Sequence, residues 1–509
     1  MNPKYTTAEP AWQAGPDDIL LGVDIIELVS SSMYVDALTA YREYVQNAAD
    51  AIDDAREQGL DAGRIDITID PASRSVYIRD DGTGVPRRTF VRRMTAFGAS
   101  DKRHRERRGF RGVGRLAALG HCQELVFRSQ AEGESVISEL RWDGRLLREM
   151  LRSSDFTGSL ADAVRSITAH RTLQARTSDR FFEVELRGVT RRGNDDMLNE
   201  AVVRQYLAEV GPVPFSSEFS YGNAMNTFLL ERGVRADVDI YINASGPLSR
   251  PHRDTIGIKE GVAMTVAAPE FFDIPSIDGS AGACGWVLHH DYLGAIPRAE
   301  GVRGVRLRSN NIQVGADDIL VDLFPEPRFN AWSVAEVYIL DRRILPNGRR
   351  DNYEQSTHFA NVVNHLVPLA RAITGRCRTE SQNRQRMRNA VLFEERIQRD
   401  LAILKQGAIT REARAQRAAD AYTTLQKMSK LVSSGVLSEG QRADLQQRVR
   451  KLEGQLGRVD ATDRKAAPLE RLAPHRRRAY QEVFSLLYDC APDARAARDL
   501  VDRMLSQLV

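Results

Sequence analysis

The spacing of apolar positions changes along the chain, and each spacing predicts a different kind of structure. Alternating apolar and polar residues predict strands, and steps of three and four predict helices. From about residue 20 to about 195, both patterns occur together and predict one α/β domain whose mixed sheet has helices on one face. Its predicted strands include Arg64–Ile69, Val76–Arg79 and Phe181–Leu186.

A second strand-rich region runs from about Tyr221 to about Thr374 and predicts another α/β unit. Its alternating segments are Val238–Ile242, Gly285–His289, Gly304–Arg308 and Ser333–Leu340. After about Cys377, apolar residues recur at steps of four and three, which predicts a coiled coil or a helical hairpin. They are Phe393, Ile397, Leu401 and Leu404, then Leu445, Val449, Leu452 and Leu456. The predicted domains are residues 1–200, 201–375, 376–460 and 461–509, the last a small helical module.

Three polar residues share one face of the first predicted helix. Glu43, Asn47 and Asp50 stand at i, i+4 and i+7 in an otherwise apolar, alanine-rich segment. Carboxylates are rarely buried without a partner, so this face indicates a bound ligand.

Two glycine-containing motifs follow. The strand that ends at Asp80 runs into a turn with Gly82 and Gly84, which would let the backbone approach a flat ligand closely. The segment Gly109–Leu119 places glycines before an apolar helical run, whose N-terminal amides could bind phosphate oxygens. Either motif alone is most often an ordinary turn.

Together, the three motifs resemble the nucleotide-binding motifs of the GHKL superfamily. The shared pattern is an E-x-x-x-N-x-x-D helix, a strand ending in D-x-G-x-G, and a G-x-x-G-x-G that enters a helix. That superfamily includes gyrase B subunits, ninety-kilodalton heat-shock chaperones, histidine kinases and MutL proteins. The resemblance implies an α+β sandwich domain that binds ATP with Mg²⁺.

The resemblance also assigns roles to residues. Glu43 stands where the family has its general base, and Asn47 where it has its metal ligand, an amide oxygen that suits Mg²⁺. Asp80 would accept a hydrogen bond from the adenine amine, and Asp50 would support the same site. Asp81 occupies a variable position and is interpreted as a solvent-exposed turn residue.

Further nucleotide contacts are expected from the glycine motifs and from the polar interval before the third one. In the family, the interval Phe97–Arg108 forms a lid; Lys102 would reach a phosphate there, although a lysine in so basic a run is more often solvated. The residues expected to bind nucleotide through their backbone are Gly82, Gly84, Gly109, Gly112, Val113 and Gly114. A fourth family motif, Gly-Thr, has no match near Thr177.

The segment Ile344–Asp351 resembles a chaperone motif in the middle, or transducer, domain, although it is one residue shorter. In the family, an arginine of this motif reaches the γ-phosphate. Arg350 is the corresponding residue here and Arg349 is its alternative; an exposed turn arginine remains an equal interpretation.

Composition changes this picture little. The formal net charge of +3 demands neither nucleic acid nor membrane. No apolar run is long enough to span a bilayer and the N-terminus has no signal core, which predicts a cytoplasmic protein. The four cysteines are far apart and predict neither a zinc site nor disulfides.

The leading hypothesis is an ATPase of the heat-shock-chaperone-like branch. Two copies would close on ATP and act on a protein client or a partner from the same bacterial operon or defence system. The alternative is a DNA-associated clamp resembling MutL, microrchidia or topoisomerase VI B proteins, although a charged helix surface is the commoner explanation of basic stretches such as His475–Arg478. A histidine kinase would place its phosphoacceptor helix before the ATP domain, and here that domain comes first.

Overall fold

The protein forms two compact units, Met1–Thr374 and Gly375–Val509. The computed structural model describes residues 36–96, 114–152, 159–175, 179–191, 193–406, 409, 411–433, 437–460, 469 and 472–507. Among these residues, no helix is both long enough and apolar enough to cross a membrane.

A seven-stranded sheet is the centre of the N-terminal domain. Its strands lie in the order β5-β4-β3-β6-β2-β1-β7, and all neighbours are antiparallel except β1 and β7. The strands are β1 (Arg64–Asp70), β2 (Ser75–Asp80), β3 (Glu124–Gln130), β4 (Val136–Asp143), β5 (Thr168–Gln174), β6 (Phe181–Arg187) and β7 (Asp239–Ile242). The helices are α1 (Thr39–Glu57), α2 (Arg87–Thr95), α3 (Gly144–Arg152), α4 (Leu160–Ile167) and α5 (Glu200–Val210).

The two faces of this sheet differ because side chains alternate along each strand. Apolar residues such as Ile67, Ile78 and Phe127 share one buried core with residues of all five helices. Most of the intervening residues are polar. Arg128 on β3, for example, forms ion pairs of 2.6–2.8 Å with Glu139, Glu183 and Glu185 on β4 and β6. The predicted mixed sheet with helices on one face is therefore confirmed.

Two expectations about this domain were wrong in detail. The strand predicted at Val238–Ile242 was placed in the second unit, but β7 pairs with β1, so the first sheet extends beyond the predicted boundary at residue 200. The helix predicted after the third motif is replaced, in its described part, by single 3₁₀ turns at Gly114–Leu116 and Leu119–His121. Alternation identifies a strand but not its neighbour, and a short apolar run does not fix the helix type.

The middle region forms a five-stranded sheet in the order β10-β11-β14-β12-β13, together with a β8-β9 hairpin. These elements are α6 (Gly222–Glu231), β8 (Thr255–Lys259), β9 (Val262–Thr265), β10 (Pro269–Pro275), β11 (Ala281–Leu288), β12 (Gly304–Ser309), β13 (Ile312–Val314) and β14 (Val334–Ile339). Trp286 and Tyr338 are buried in its core.

The C-terminal unit is helical, as predicted. Helix α7 (Thr357–Gln406) contains the boundary between the two units and is followed by α8 (Arg411–Val432), α9 (Glu439–Asp460), α10 (Pro474–Cys490) and α11 (Ala494–Ser506). The predicted apolar positions Ile397, Leu401, Leu445, Leu452 and Leu456 are buried in one core.

Candidate functional site

Helix α1 carries a row of buried polar side chains. Ala48 and Ala49 face the core, and small residues on that side let the helix pack closely on the sheet. Glu43 and Asp50 retain only 6% and 3% of their exposure, whereas Asn47 is half-buried. A helix that buries two carboxylates must compensate their lost hydration, so this row is a candidate site on physical grounds alone.

Gly114 lies directly against Glu43. A Cβ atom added to Gly114 would come within 2.2 Å of Glu43 Oε2, so a side chain there would require the Glu43 carboxylate to move. The Tyr44 hydroxyl holds this approach in place, since it donates to the Arg115 carbonyl (3.0 Å) and accepts from the Ala118 amide (3.2 Å). The third motif is therefore fixed next to the glutamate of the first.

The turn after β2 packs on the other end of the same helical face. A Cβ atom on Gly82 would lie 2.6 Å from the Ala51 carbonyl carbon, and Gly84 adopts a positive φ of 65°. The Thr83 amide donates to the Ala51 carbonyl at 3.3 Å. These close contacts require glycine and bring the second motif against α1.

Asp80 ends β2 on the face that carries Val76 and Ile78, which is the face covered by helices. It is 4% exposed, and its Oδ1 accepts the Gly82 amide at 3.0 Å. Burial raises the pKa of Asp80 to about 8, and the Gly82 hydrogen bond only partly opposes this rise. A buried carboxyl whose pKa is so far raised is suited to a ligand that donates a hydrogen bond to it.

Asp81 is not the solvent-exposed turn residue that the sequence indicated. Its Oδ1 accepts the amides of Gly63 and Arg64, both at 3.0 Å. Asp81 therefore fixes the start of β1.

Arg350 reaches the same helix from the middle region. Its Nε lies 3.0 Å from Glu43 Oε1, and both side chains are about nine-tenths buried. The two groups form an ion pair, but they are not aligned for a hydrogen bond. Arg350 has a φ of 56°, an uncommon conformation for a residue with a Cβ, whereas its neighbour Arg349 is exposed.

Arg42 was not identified from the sequence, yet it holds the loop that carries Arg350. Its guanidinium donates to the carbonyls of Arg349 (3.2 Å) and Arg350 (3.5 Å). On the other side of this loop, the Gly315 amide donates to the Arg350 carbonyl at 2.9 Å. Long-range contacts of this kind leave no local sequence signal.

Some predicted site residues lie outside the described residues. They are Lys102, Gly109, Gly112 and Val113, together with the interval Phe97–Arg108 and the fourth-motif position Thr177. The predicted residues that the structure brings to α1 are Glu43, Asn47, Asp50, Asp80, Gly82, Gly114 and Arg350, and Gly84 lies in the same turn as Gly82.

A comparison with protein-family models matches residues 35–152 to the histidine kinase-, DNA gyrase B- and HSP90-like ATPase family. This segment holds α1, the turn after β2 and Gly114, which are the elements that the geometry brings together. The chain contains a GHKL-type ATPase domain. The GHKL-type domain thus includes Glu43 and Asp80, whereas Arg350 lies outside the matched segment.

Among solved structures, the ATPase region of Saccharomyces cerevisiae topoisomerase II is similar to this chain at 12% identity and a TM-score of 0.39. The similarity covers 67% of this chain and 84% of that one. The search of curated proteins gives no match.

Proposed function

We propose that the chain binds ATP along the polar face of α1 and hydrolyses it. The observation that supports this most is that Gly114 packs against Glu43 and Gly82, which follows Asp80, packs against Ala51, about eight residues further along the same helix. At 1.5 Å per residue, this separation is about 12 Å, enough for a nucleobase at one end and phosphates at the other. In this proposal, adenine lies near Asp80 and the triphosphate near Gly114.

Glu43 is the proposed general base. It would accept a proton from the water that attacks the γ-phosphorus, while the bond between that phosphorus and the ADP oxygen breaks. The close approach of Gly114 brings backbone to the glutamate, so the terminal phosphate and the attacking water would meet at this end of the helix.

Arg350 is the proposed phosphate sensor. A guanidinium provides two donors in a fixed geometry and stabilises the negative charge that develops on the transferred phosphoryl group. Because Arg350 belongs to the middle region, its position would depend on whether a phosphate is present. Binding or loss of the γ-phosphate could therefore change the conformation of the middle region.

The donor set of the site fits Mg²⁺. Glu43 and Asn47 offer a carboxylate and an amide oxygen one helical turn apart, and hard cations prefer such ligands. Asn47 is the proposed direct ligand. When bound, the ion would neutralise charge on the phosphates.

We further propose that two copies close on ATP in the cytoplasm and that opening after hydrolysis acts on a protein partner. The three-part organisation supports this, since a helical region follows a middle region whose arginine contacts the catalytic helix. A DNA-operated clamp is the second candidate, and the four exposed arginines of α2 (Arg87, Arg88, Arg92 and Arg93) favour it. DNA-stimulated turnover would favour the clamp, whereas stimulation by a client protein alone would favour the chaperone-like function.

The basic test is binding of a non-hydrolysable ATP analogue to the full chain by calorimetry, followed by phosphate release from ATP with and without Mg²⁺. We expect saturable binding and Mg²⁺-dependent turnover. A protein that is folded by circular dichroism yet does not bind the analogue would contradict the proposal.

Asp80→Asn is expected to weaken ATP binding about tenfold to a hundredfold. The carboxylate acceptor becomes an amide that can turn a donor towards the adenine amine, which leaves buried polar groups unpaired. Calorimetry measures the change, and Asp66→Asn on the polar face of the same sheet is the matched control. Equal affinities in the wild type and in Asp80→Asn would exclude the assigned contact.

The raised pKa of Asp80 predicts that nucleotide binding depends on pH. Below about pH 8, the free protein carries a proton on this carboxyl. A bound adenine amine favours the charged form, so binding should release that proton and affinity should rise as pH increases from about 6 to about 8. Calorimetry in buffers of different ionisation enthalpy measures the released proton. Subtraction of the Asp80→Asn signal removes the titration of ATP itself, and an identical pH profile in the variant would contradict the prediction.

Arg350→Gln should reduce turnover by about tenfold to a thousandfold while it changes ATP affinity less, because the guanidinium acts mainly on transition-state charge. Glutamine keeps a polar donor near the buried Glu43 carboxylate, which alanine would not. Arg349→Gln is the matched control, since it removes the same charge from the adjacent, exposed position. Steady-state phosphate release separates kcat from KM. If Arg349→Gln shows the large loss and Arg350→Gln does not, the two assignments must be exchanged.

A further inference from the structure

The hydroxyl of Tyr44 joins helix α1 to the segment that follows Gly114. It donates to the Arg115 carbonyl at 3.0 Å and accepts the Ala118 amide at 3.2 Å. A phenol can make both bonds because its oxygen is a donor and an acceptor. Tyr44 is 3% exposed and its ring lies in the apolar core of the domain, so packing keeps the hydroxyl in this position.

The two backbone groups that Tyr44 binds would pair internally in a continuous α-helix. In such a helix, the Arg115 carbonyl would accept an amide four residues further on, and the Ala118 amide would donate to the Gly114 carbonyl. In this chain, the Gly114 carbonyl accepts the Ala117 amide at 3.1 Å, which is the closer spacing of a 3₁₀ turn. Tyr44 therefore favours the 3₁₀ turn over the α-helix that the apolar run predicted.

This turn begins beside the proposed general base. Gly114 is so close to Glu43 that an added Cβ atom would lie 2.2 Å from Glu43 Oε2. Glu43 and Tyr44 are adjacent residues of α1, so one helix carries both the carboxylate and the hydroxyl that fixes the backbone next to it. The distance between the Gly114 turn and Glu43 is thereby set from within α1.

The pattern shared with the GHKL superfamily assigns no role to Tyr44. In E-x-x-x-N-x-x-D, the specified residues are Glu43, Asn47 and Asp50, and Tyr44 falls on an unspecified position. A role for its hydroxyl therefore follows from the contacts in this chain alone.

We propose that Tyr44 is a positioning residue for ATP turnover and that its hydroxyl makes the site distinguish ATP from ADP. The inference rests on the ATP site proposed above, in which the γ-phosphate lies at the Glu43 end of α1. ADP lacks only this phosphate, so a change in the distance between the Gly114 turn and Glu43 acts on ATP and spares most contacts of ADP. The attacking water meets the same end, where a displacement of about 1 Å can cost about 10² in rate.

Tyr44→Phe removes the hydroxyl and retains the ring. The Arg115 carbonyl and the Ala118 amide lose this partner inside the core, so the turn should shift relative to Glu43. We expect the affinity for a non-hydrolysable ATP analogue to fall about tenfold and that for ADP to change less than about twofold. Calorimetry measures both affinities. Steady-state phosphate release should show a kcat that is lower by about tenfold or more.

Tyr41→Phe is the matched control. Tyr41 is also a buried tyrosine of α1, but its hydroxyl donates to the Met197 carbonyl at 2.6 Å, in the turn that precedes α5. A loss of stability alone would leave the ratio of ATP-analogue to ADP affinity unchanged in both variants. We expect this ratio to fall about tenfold in Tyr44→Phe and to keep its wild-type value in Tyr41→Phe. Equal ratios in the two variants would overturn the proposal.

Hydrogen exchange without nucleotide tests the contact independently of the ATP site. Peptides that cover residues 114–121 should exchange about tenfold faster in Tyr44→Phe than in the wild type, and at the wild-type rate in Tyr41→Phe. Unchanged exchange in Tyr44→Phe would mean that the hydroxyl does not hold the turn. If exchange is faster but the wild type does not bind the analogue, the proposed ATP site fails and the role of Tyr44 fails with it.

Gly114→Ala disturbs the same distance while the Tyr44 hydroxyl stays in place. The added Cβ atom would require the Glu43 carboxylate to move, and this is the flexible end of that side chain. We expect the same selective loss of ATP-analogue affinity, with ADP affinity changed less than about twofold. A wild-type ratio of the two affinities in Gly114→Ala would show that this distance does not govern the choice between ATP and ADP. That result would contradict the proposal even if Tyr44→Phe did not fold.

Discussion

Glu43→Gln is expected to lower kcat for ATP hydrolysis by about 10² to 10⁴, the usual contribution of a general base. ATP affinity should change little, because the proposed contacts of adenine and phosphate are made by other groups. An amide of the same size cannot accept the proton of the attacking water at neutral pH. Phosphate release under saturating ATP, together with analogue binding by calorimetry, measures the two effects separately.

Glutamine is preferable to alanine at this position because of Arg350. The Glu43 carboxylate lies 3.0 Å from a guanidinium that is itself buried, so truncation to alanine would remove this ion pair. Removal of one member of a buried ion pair typically destabilises a protein by about 3–5 kcal/mol. Glutamine retains the side-chain length and keeps a polar oxygen next to the Arg350 guanidinium.

Asp53→Asn is the matched control for Glu43→Gln. Asp53 is also a buried acid of α1, but its carboxylate faces Arg235 at 3.8 Å, away from Gly114. This variant should retain kcat within a few-fold. If Glu43→Gln binds the analogue and still turns over ATP at the wild-type rate, Glu43 is not the base.

Elements with a periodic pattern or a recognisable motif could be predicted from the sequence. Strands β1, β2 and β6 begin and end within about one residue of their predicted bounds, because alternation persists along each of them. Helix α1 carries Glu43, Asn47 and Asp50 on one face, as their spacing required. These predictions succeeded because they depend only on residues that are close together in the sequence.

Contacts between distant segments could not be predicted in this way. The pairing of β7 with β1 joins residues about 175 positions apart, and the Arg42 contacts join α1 to a loop more than 300 positions away. Arg350 itself was predicted only through a resemblance, since an arginine in a turn has no periodicity. Asp81 shows the opposite case: a residue that the sequence indicated to be solvent-exposed binds two backbone amides.

Another contact of this kind lies deep in the middle region, where Glu336 on β14 accepts hydrogen bonds from two arginines. Its Oε1 is 2.7 Å from Arg308 Nε, and its Oε2 is 2.9 Å from an Arg250 terminal nitrogen. All three side chains are 1% exposed. Burial by itself would raise the pKa of Glu336, but the two guanidinium groups reverse this effect and keep it well below its ordinary value.

The same arginines bind the backbone at the end of helix α5 and just after it. Arg308 donates to the Glu209 carbonyl (2.7 Å) and the Gly211 carbonyl (3.2 Å), and Arg250 donates to the Val213 carbonyl (2.8 Å). Glu336 therefore holds in place the two side chains that join the middle sheet to the end of α5. A movement of Arg350 at the nucleotide could be transmitted through the middle region only while this junction remains rigid.

Glu336→Ala should accordingly destabilise the middle region by about 3–5 kcal/mol, because the buried Arg308 would lose its counter-charge and the buried Arg250 would keep only the more distant Asp237, at 3.4 Å. Hydrogen exchange of the β12 and β14 amides measures this locally, which avoids a single unfolding free energy for a chain of several domains. Glu326→Ala is the control: its partner Arg328 is 68% exposed, so the loss should be less than about 1 kcal/mol. Glu336→Gln should fall between the two, since it retains an acceptor but not the charge. Equal hydrogen-exchange protection of β12 and β14 in both alanine variants would mean that Glu336 does not stabilise this junction. Any effect of nucleotide state on the helical region would then have to depend on other contacts.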